Sequence, residues 1–344
     1  MVPPTDFPNP DPNSTPVVGE LVLRCHTCRG QLDADDLFCP NCGTETAEQE
    51  SDHTKSTVNV DWITHHFSCQ GCGASMSYDA RAQNLRCPFC GSEKIQEQEP
   101  SKTLRAKYVI PFQQDREAVM QTLTKWMGRS FWRPRDLASG SVITQMAPVF
   151  VPYWVFQAEA ETNWTADSSN VPWSARGNWM PVTGDHRANH AGILIGASSV
   201  LSPVETASIC PFNLNGGQSM ENAQLENYII EQFRVQRKYA RPLARASIES
   251  LEREACRKFV MGRARNVKVN VKLSGIYSEP VLLPVWILAY RYKGELYRFL
   301  ANGQTGRHTG TAPVSWARIV AVGAAVFAAV FVLLLLISLL FAVA

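Results

Sequence analysis

No G-x-x-x-x-G-K-[ST] phosphate loop occurs anywhere in the 344 residues, so a nucleotide-driven motor of that class lacks its cradle. The chain also lacks a metalloprotease H-E-x-x-H. In GDHRANH (Gly184 to His190), His186 and His190 stand four apart, but Arg187 occupies the place of the glutamate. This is the most catalytic-looking stretch in the chain. Its Gly, Thr and Asn neighbours predict a polar loop, and the expectation is that the protein is not an enzyme. The N-terminal MVPPTDFPNPDPNSTP has neither a basic n-region nor an apolar h-region, so no secretory leader is expected. Net charge is only +2, which provides no global field for nucleic acid.

The last thing missing is charge at the C-terminal end. From Ile319 to Ala344 the chain reads IVAVGAAVFAAVFVLLLLISLLFAVA, with Ser338 its single hydroxyl. A bilayer core about 30 Å thick takes roughly 20 apolar helical residues, and a soluble helix of this length would carry a polar face. Residues 313–344 therefore read as a juxtamembrane segment and one C-terminal transmembrane helix. Trp316 and Arg318 suit the interface, and Arg307 and Arg318 favour a cytoplasmic side. The expected placement is the cell membrane, single-pass, with the soluble part cytoplasmic and membrane lipid as a partner. Ala321, Ala325 and Ala329 repeat every four residues, a spacing that lets helices approach closely and admits a homo-oligomer.

Cysteine is what the chain does have. Residues 1–19 form a Pro-rich tail too poor in large apolar side chains to order. Residues 20–44 then hold Cys25, Cys28, Cys39 and Cys42, and residues 65–95 hold Cys69, Cys72, Cys87 and Cys90. Each C-x2-C presents two thiolates on a tight turn, and two such turns complete a tetrahedral four-sulfur shell. Gly43, Gly73 and Gly91 follow three of the pairs and permit the turn. The expectation is two zinc ribbons with two structural zinc ions. Disulfides would need an oxidising compartment, and a rubredoxin-type iron fits the same spacing. A closed shell leaves no position for substrate, so no catalytic and no cofactor-binding residues are expected beyond these ligands.

Charge decides what the ribbons would touch. Glu20 to Lys55 carries three basic against eight acidic residues, and Asp61 to Glu99 three against five. Phosphate binding needs clustered Lys and Arg, so protein-binding ribbons are favoured over nucleic acid. Polar linkers at 45–64 and 96–106 predict flexible tethers. Glu221 to Lys272 is the one basic region, twelve basic against six acidic, readable as a solvated face, a lipid-headgroup contact or a partner surface.

Residues 107–312 have a globular pattern. YVIPF (Tyr108 to Phe112) reads as a strand, and Asp115 as the N-cap of a helix reaching Gly128. PVFVPYWVF (Pro148 to Phe156) is echoed by PVLLPVWIL (Pro280 to Leu288), 132 residues on, which suggests two related sheet units in one body. Arg241 to Met261 reads as a helix with Pro242 in its first turn and Ala244, Ile248, Leu251, Ala255 and Phe259 on one face. Asn266 to Leu273 alternates as a half-buried strand, and turns at Lys293-Gly294 and Asn302-Gly303 give a meander. Cys210 and Cys256 read as buried or incidental thiols. The fold class is α+β: two small ribbons, a body with an antiparallel sheet, and the terminal helix.

The two cysteine sets, the terminal helix, and the stretches VPYWVF (Val151 to Phe156), LPVWILAYRYK (Leu283 to Lys293) and YRFLANGQTG (Tyr297 to Gly306) resemble a bacterial family of double-zinc-ribbon membrane proteins. Its members are loosely labelled transcription-factor-IIB-type zinc ribbons or primosomal helicases. The resemblance implies an adaptor that recruits cytosolic or membrane-associated proteins, such as a flotillin-like SPFH protein or a phage-shock-protein-A-like coat protein, to the inner face of the membrane in an envelope-stress response. A membrane-associated nucleic-acid-binding ribbon protein is the alternative.

Overall fold

The computed structural model describes residues 23–27, 31–32, 44, 64–79, 86–98, 104, 106–220, 222–223, 225 and 228–343. The Pro-rich tail 1–19, nearly all of the linker 45–64, and Cys28, Cys39 and Cys42 of the first ribbon lie outside the described residues. Strands β1 (Leu23–Arg24) and β2 (Gln31–Leu32) form a small antiparallel pair. Strands β3 (Thr64–Cys69), β4 (Ser75–Asp79) and β5 (Ile95–Gln98) make the second ribbon. The body follows as β6 (Tyr108–Val109), α1 (Arg116–Gly128), α2 (Leu137–Gly140), β7 (Val142–Ser168), β8 (Met180–Gly196), α3 (Pro203–Ser208), β9 (Gln218–Ser219), β10 (Ile229–Glu231), α4 (Arg237–Arg257), β11 (Ala264–Tyr292), β12 (Glu295–Asn302) and β13 (His308–Gly310). Helix α5 (Trp316–Val343) closes the list.

The centre is the antiparallel ladder between β7 and β11, and its register explains the sequence echo. Val151 pairs with Leu283, the residue 132 positions on, so each is the other's echo. Moving outward, Phe150 meets Pro284, Pro148 meets Trp286, and Trp154 meets Pro280. The two copies are thus neighbours in one sheet, related by a local two-fold axis at the Val151–Leu283 pair. The symmetry extends further. Hairpin partner β8 joins β7 from Tyr153 onward, and β12 joins β11 from Val285, the equivalent position. Short β10 lies parallel to β7 at Val149 and Phe150, and short β6 lies parallel to β11 at Val281 and Leu282.

Each half is therefore a β-α-β-β unit, β6-α1-β7-β8 and β10-α4-β11-β12, and the two exchange their first strands. The exchange creates two parallel pairs, so the sheet is mixed where the sequence predicted an antiparallel one. The tryptophans of the echo fix the exchange. Trp286 Nε1 donates to Gln114 O at 2.9 Å, and Trp154 Nε1 donates to Val235 O at 2.9 Å. Each acceptor immediately precedes a helix N-cap, Asp115 for α1 and Gln236 for α4. Phe112 packs edge-on to Trp286 and Phe233 to Trp154, both at 5.7 Å between ring centres.

Both faces of the central ladder are covered, which is why its sequence is continuously apolar. Val149, Val151, Tyr153, Val281, Leu283, Val285 and Ile287 face one side, where Met76, Cys87 and Phe89 of the second ribbon pack. On the other side Leu123, Trp126 and Met127 of α1 meet Trp286, Leu288 and Phe299, while Ala240 and Ala244 of α4 meet Trp154 and Phe156. Each helix thus covers the hairpin of the opposite half. Beyond Phe156, β7 alternates buried and exposed residues, as a strand with one wet face should.

The ribbon itself is part of this sheet. Strand β4 pairs with β10, Ile230 opposite Ser77 and Glu231 opposite Met76, and Arg234 Nε donates to Ser75 Oγ at 3.2 Å. The expectation of a ribbon on a flexible tether is corrected here, because Met76 and Phe89 are apolar residues that only the body can bury.

Helix α1 matches its expected bounds, with the Asp115 carboxylate accepting from Ala118 N at 2.8 Å. Helix α4 differs. It begins at Arg237, so Pro242 lies inside it rather than in its first turn, and the buried stripe is Ala240, Ala244, Ile248, Glu252 and Cys256. Leu251 and Phe259 are exposed. The i, i+4 rule selected an apolar neighbour of the true stripe because that stripe carries a charge.

Two tests follow from the fold. Trp154→Phe and Trp286→Phe each strand a carbonyl at a helix entrance, at about 1–3 kcal/mol apiece, and thermal unfolding should show similar losses for the pair. The second concerns Glu231. Burial pushes its carboxyl up to about 8 against hydrogen bonds from Ser198 and Ser199. The folded chain then binds the extra proton between the ordinary carboxylate range and pH 8, so stability falls as pH rises through that window, by about 1.4 kcal/mol per unit. Glu231→Gln should flatten this fall, and the variant's Tm should overtake that of the parent near pH 8.

Candidate metal centre

Two knuckles of the same construction bring the second cysteine set together. In the first, Cys69 N donates to Ala74 O and Gly73 N to Cys69 O, at 2.9 and 2.8 Å; in the second, Cys87 N donates to Ser92 O and Gly91 N to Cys87 O, at 2.9 and 2.7 Å. Gly73 and Gly91 have φ of 77° and 70°, a conformation that side chains strain against. At Gly91 space matters as well, since a Cβ would come within 2.9 Å of Thr144 Cγ2 on β7. The turns leave backbone N–H groups near sulfur, with Gly71 N 3.4 Å from Cys69 Sγ.

The result is a four-thiol cage. Cys69 Sγ lies 3.6 Å from Cys90 Sγ, Cys72 Sγ lies 3.6 Å from Cys87 Sγ, and all four sulfurs fall within 4.8 Å of one another. A tetrahedral zinc with ~2.3 Å bonds sets its sulfurs about 3.8 Å apart, so the cage fits one zinc ion. Electrostatics point the same way. The Cys87 thiol's hydrogen bond draws Cys72 down to about 5, while that bond and burial drive Cys87 well up, and burial lifts Cys90 to about 11. Four thiols this close cannot all ionise unless a cation joins them. None of the described cysteines is in a disulfide.

His66 is not a fifth ligand. Its Nδ1 bonds Ser77 Oγ at 3.1 Å and Gln232 Nε2, tying the ribbon to β10 and the segment beyond it. Of the first set, Cys25 is buried after β1, and the other three cysteines are outside the described residues.

His186 and His190 sit in strand β8, not in a loop. The polar composition is that of a strand with one exposed face, exposed and half-buried residues alternating without a break from Pro181 to Gly192. Both imidazoles converge on Glu252, fully buried on α4. His186 Nδ1 donates to Oε2 at 2.8 Å, His190 Nε2 to Oε1 at 2.6 Å, and Thr162 Oγ1 to Oε2 at 2.6 Å. Burial alone would lift the Glu252 carboxyl, and these three donors hold it below the usual range. Sequence reasoning missed Glu252 because it lies on a helix more than sixty residues away. The available signal was a glutamate in register with the apolar positions of α4.

Helix α5 is long and apolar enough to cross a membrane, and no residue of its candidate span Trp316–Leu334 is buried. At about 1.5 Å per residue its 28 residues reach roughly 42 Å. Its base is gripped by the loop after α1. Ser315 N donates to Trp132 O at 2.7 Å, Arg318 Nη1 donates to Phe131 O, and the Arg318 guanidinium sits 5.2 Å over the Phe131 ring. Phe131, Trp132 and Trp316 are 60%, 46% and 75% exposed around this base.

These features define an α+β protein with a four-cysteine metal-site geometry and one apolar C-terminal helix. It is similar to the uncharacterized protein YdjG of Bacillus subtilis (strain 168), at 24% identity over 334 residues spanning 79% of this chain and 97% of YdjG. No family model matches the chain, and no solved structure matches it.

Cys87→Ser should lower the zinc content of the purified full-length protein by one ion per chain. Because the cage braces the central sheet, the loss should fall in the ~4 kcal/mol class of lost metals, about 10 °C in Tm. Zinc content by mass spectrometry and a thermal scan check both.

Proposed function

We propose that the protein is a membrane-anchored zinc-ribbon adaptor, with two structural zinc ions, that holds cytosolic or membrane-associated proteins at the inner face of the cell membrane. The observation that carries this reading is the incorporation of the second cysteine set into the body. The second ribbon is built into the body, with Cys69 and Cys87 buried against β7 and β11. In this reading residues 20–44 are the recruiting head and the second zinc is a brace. The acidic balance of residues 20–55 suits a protein surface better than phosphate.

The anchor is α5. Phe131, Trp132 and Trp316, with Arg129 and Arg318 beside them, form an aromatic and basic collar at its base. Such side chains settle at headgroup level, so the collar sets the body against the bilayer. The likeness of the chain to double-zinc-ribbon membrane proteins supports a flotillin-like SPFH partner and a place in envelope-stress response.

The test uses full-length protein in native membranes, with crosslinking and mass spectrometry of captured proteins. Cys28→Ser with Cys42→Ser should abolish capture while leaving Tm within about 2 °C of the parent, and removal of residues 316–344 should move the protein from the membrane to the soluble fraction. Undiminished capture by the Cys28/Cys42 variant would overturn the reading.

A further inference from the structure

The buried cluster between α4 and β8 has no role in the adaptor reading, and its composition is unusual for a structural lock. A carboxylate that needs only neutralising takes one cation. Glu252 instead receives two imidazoles and a hydroxyl, with a thiol one helical turn on, at Cys256. A ring nitrogen of His186, a Glu252 oxygen and Cys256 Sγ lie within 4.8 Å of one another. Glu252 and Cys256 are fully buried, while the His186 side chain is 20% exposed.

We propose that His186, Glu252 and Cys256 form a second kind of metal site in this protein, for a borderline-soft divalent transition ion such as Zn2+. Nitrogen, carboxylate oxygen and thiolate together select this class over the hard cations Mg2+ and Ca2+. The ion replaces the Cys256 Sγ proton, which leaves to solvent, and takes the place of the His186 Nδ1 proton, which passes to Nε2 of the same ring. His186 and Glu252 Oε2 stand 2.8 Å apart. Tetrahedral bonds of ~2.0–2.1 Å place such atoms roughly 3.3 Å apart, so the pair opens by about half an ångström and Cys256 closes in. Water fills the fourth position from the partly exposed side of His186.

The surrounding residues suit that role. His190 Nε2 holds Glu252 Oε1 at 2.6 Å, and Thr162 Oγ1 holds Oε2 at 2.6 Å, fixing the carboxylate as outer hydrogen bonds fix metal ligands. Across the β7–β8 ladder Thr162 faces His186, Ala160 faces Ala188, and Ala158 faces His190. The alanines leave room above the strands for a carboxylate and an ion. The geometry comes from regular elements and no flexible loop, with Glu252 and Cys256 at i and i+4 on α4 and with His186 on β8. A bound ion would pin α4 to the hairpin of the opposite half.

The experiment is a titration of metal-stripped, reduced full-length protein in detergent with Co2+ alone, read by optical absorption and by equilibrium stoichiometry. The parent should show four-thiolate components from the cysteine ribbons and a separate, weaker component with one thiolate and nitrogen/oxygen ligands. His186→Gln with Cys256→Ala should remove the single-thiolate component, and one equivalent of Co2+, while the four-thiolate absorption persists and reports that the body is folded. If the parent saturates with four-thiolate components only, the cluster is a hydrogen-bonded lock and the proposal fails, whatever the variant does. It fails equally if the double variant keeps the single-thiolate component.

Discussion

The register between β7 and β11 is the constraint on which the rest of the molecule depends. With Val151 opposite Leu283, the apolar residues of the two echoing segments are buried or half-buried, odd positions toward the ribbon and even positions toward α1, α4 and the loop residues around Leu225. A slip of one residue would turn Tyr153 and Leu283 out of the ribbon-facing core and set Trp154 and Trp286 against it. The hydrogen bonds of those tryptophans to Val235 and Gln114 would be lost at the same time, and with them the helix entrances. The prolines of the echo are tolerated because they fall in the inner part of the ladder, where the flanking short strands cover only two residues each.

The ribbon and the ladder stabilise each other. Residues 64–98 are too short to bury Met76 and Phe89 alone, and the ladder's ribbon-facing side would be wet without them. A metal ion held in the four-sulfur cage would therefore act on the whole body, through Gly91 against Thr144 and through the β4–β10 pairing. The same logic explains Glu231, carried into the core by a strand whose pairing with β4 leaves it no route to water.

Much of this was legible in the sequence. The C-x2-C spacing located the cage, Asp115 located a helix start, and the repeat of Pro-Val and Pro-x-Trp signalled two related units. What was hidden is instructive. The strand exchange is invisible because β6 and β10 are two and three residues long, below any periodic signal. Glu252 was hidden because a charged residue on an apolar stripe reads as the edge of the stripe. The strand character of Gly184 to His190 was masked by a composition that favours turns, overridden by fifteen paired positions along β7. The docking of the ribbon was missed because a polar segment between two modules says nothing about whether they touch.

The exchange of first strands bears on how the chain is made. Strand β6 and helix α1 leave the ribosome early, yet their partners, β11 and β12, are synthesised more than 150 residues later. Until then Leu123, Trp126 and Met127 have no covering surface. The apolar face of α1 stays uncovered until those strands are made, and the body closes only as the apolar helix α5 is being synthesised.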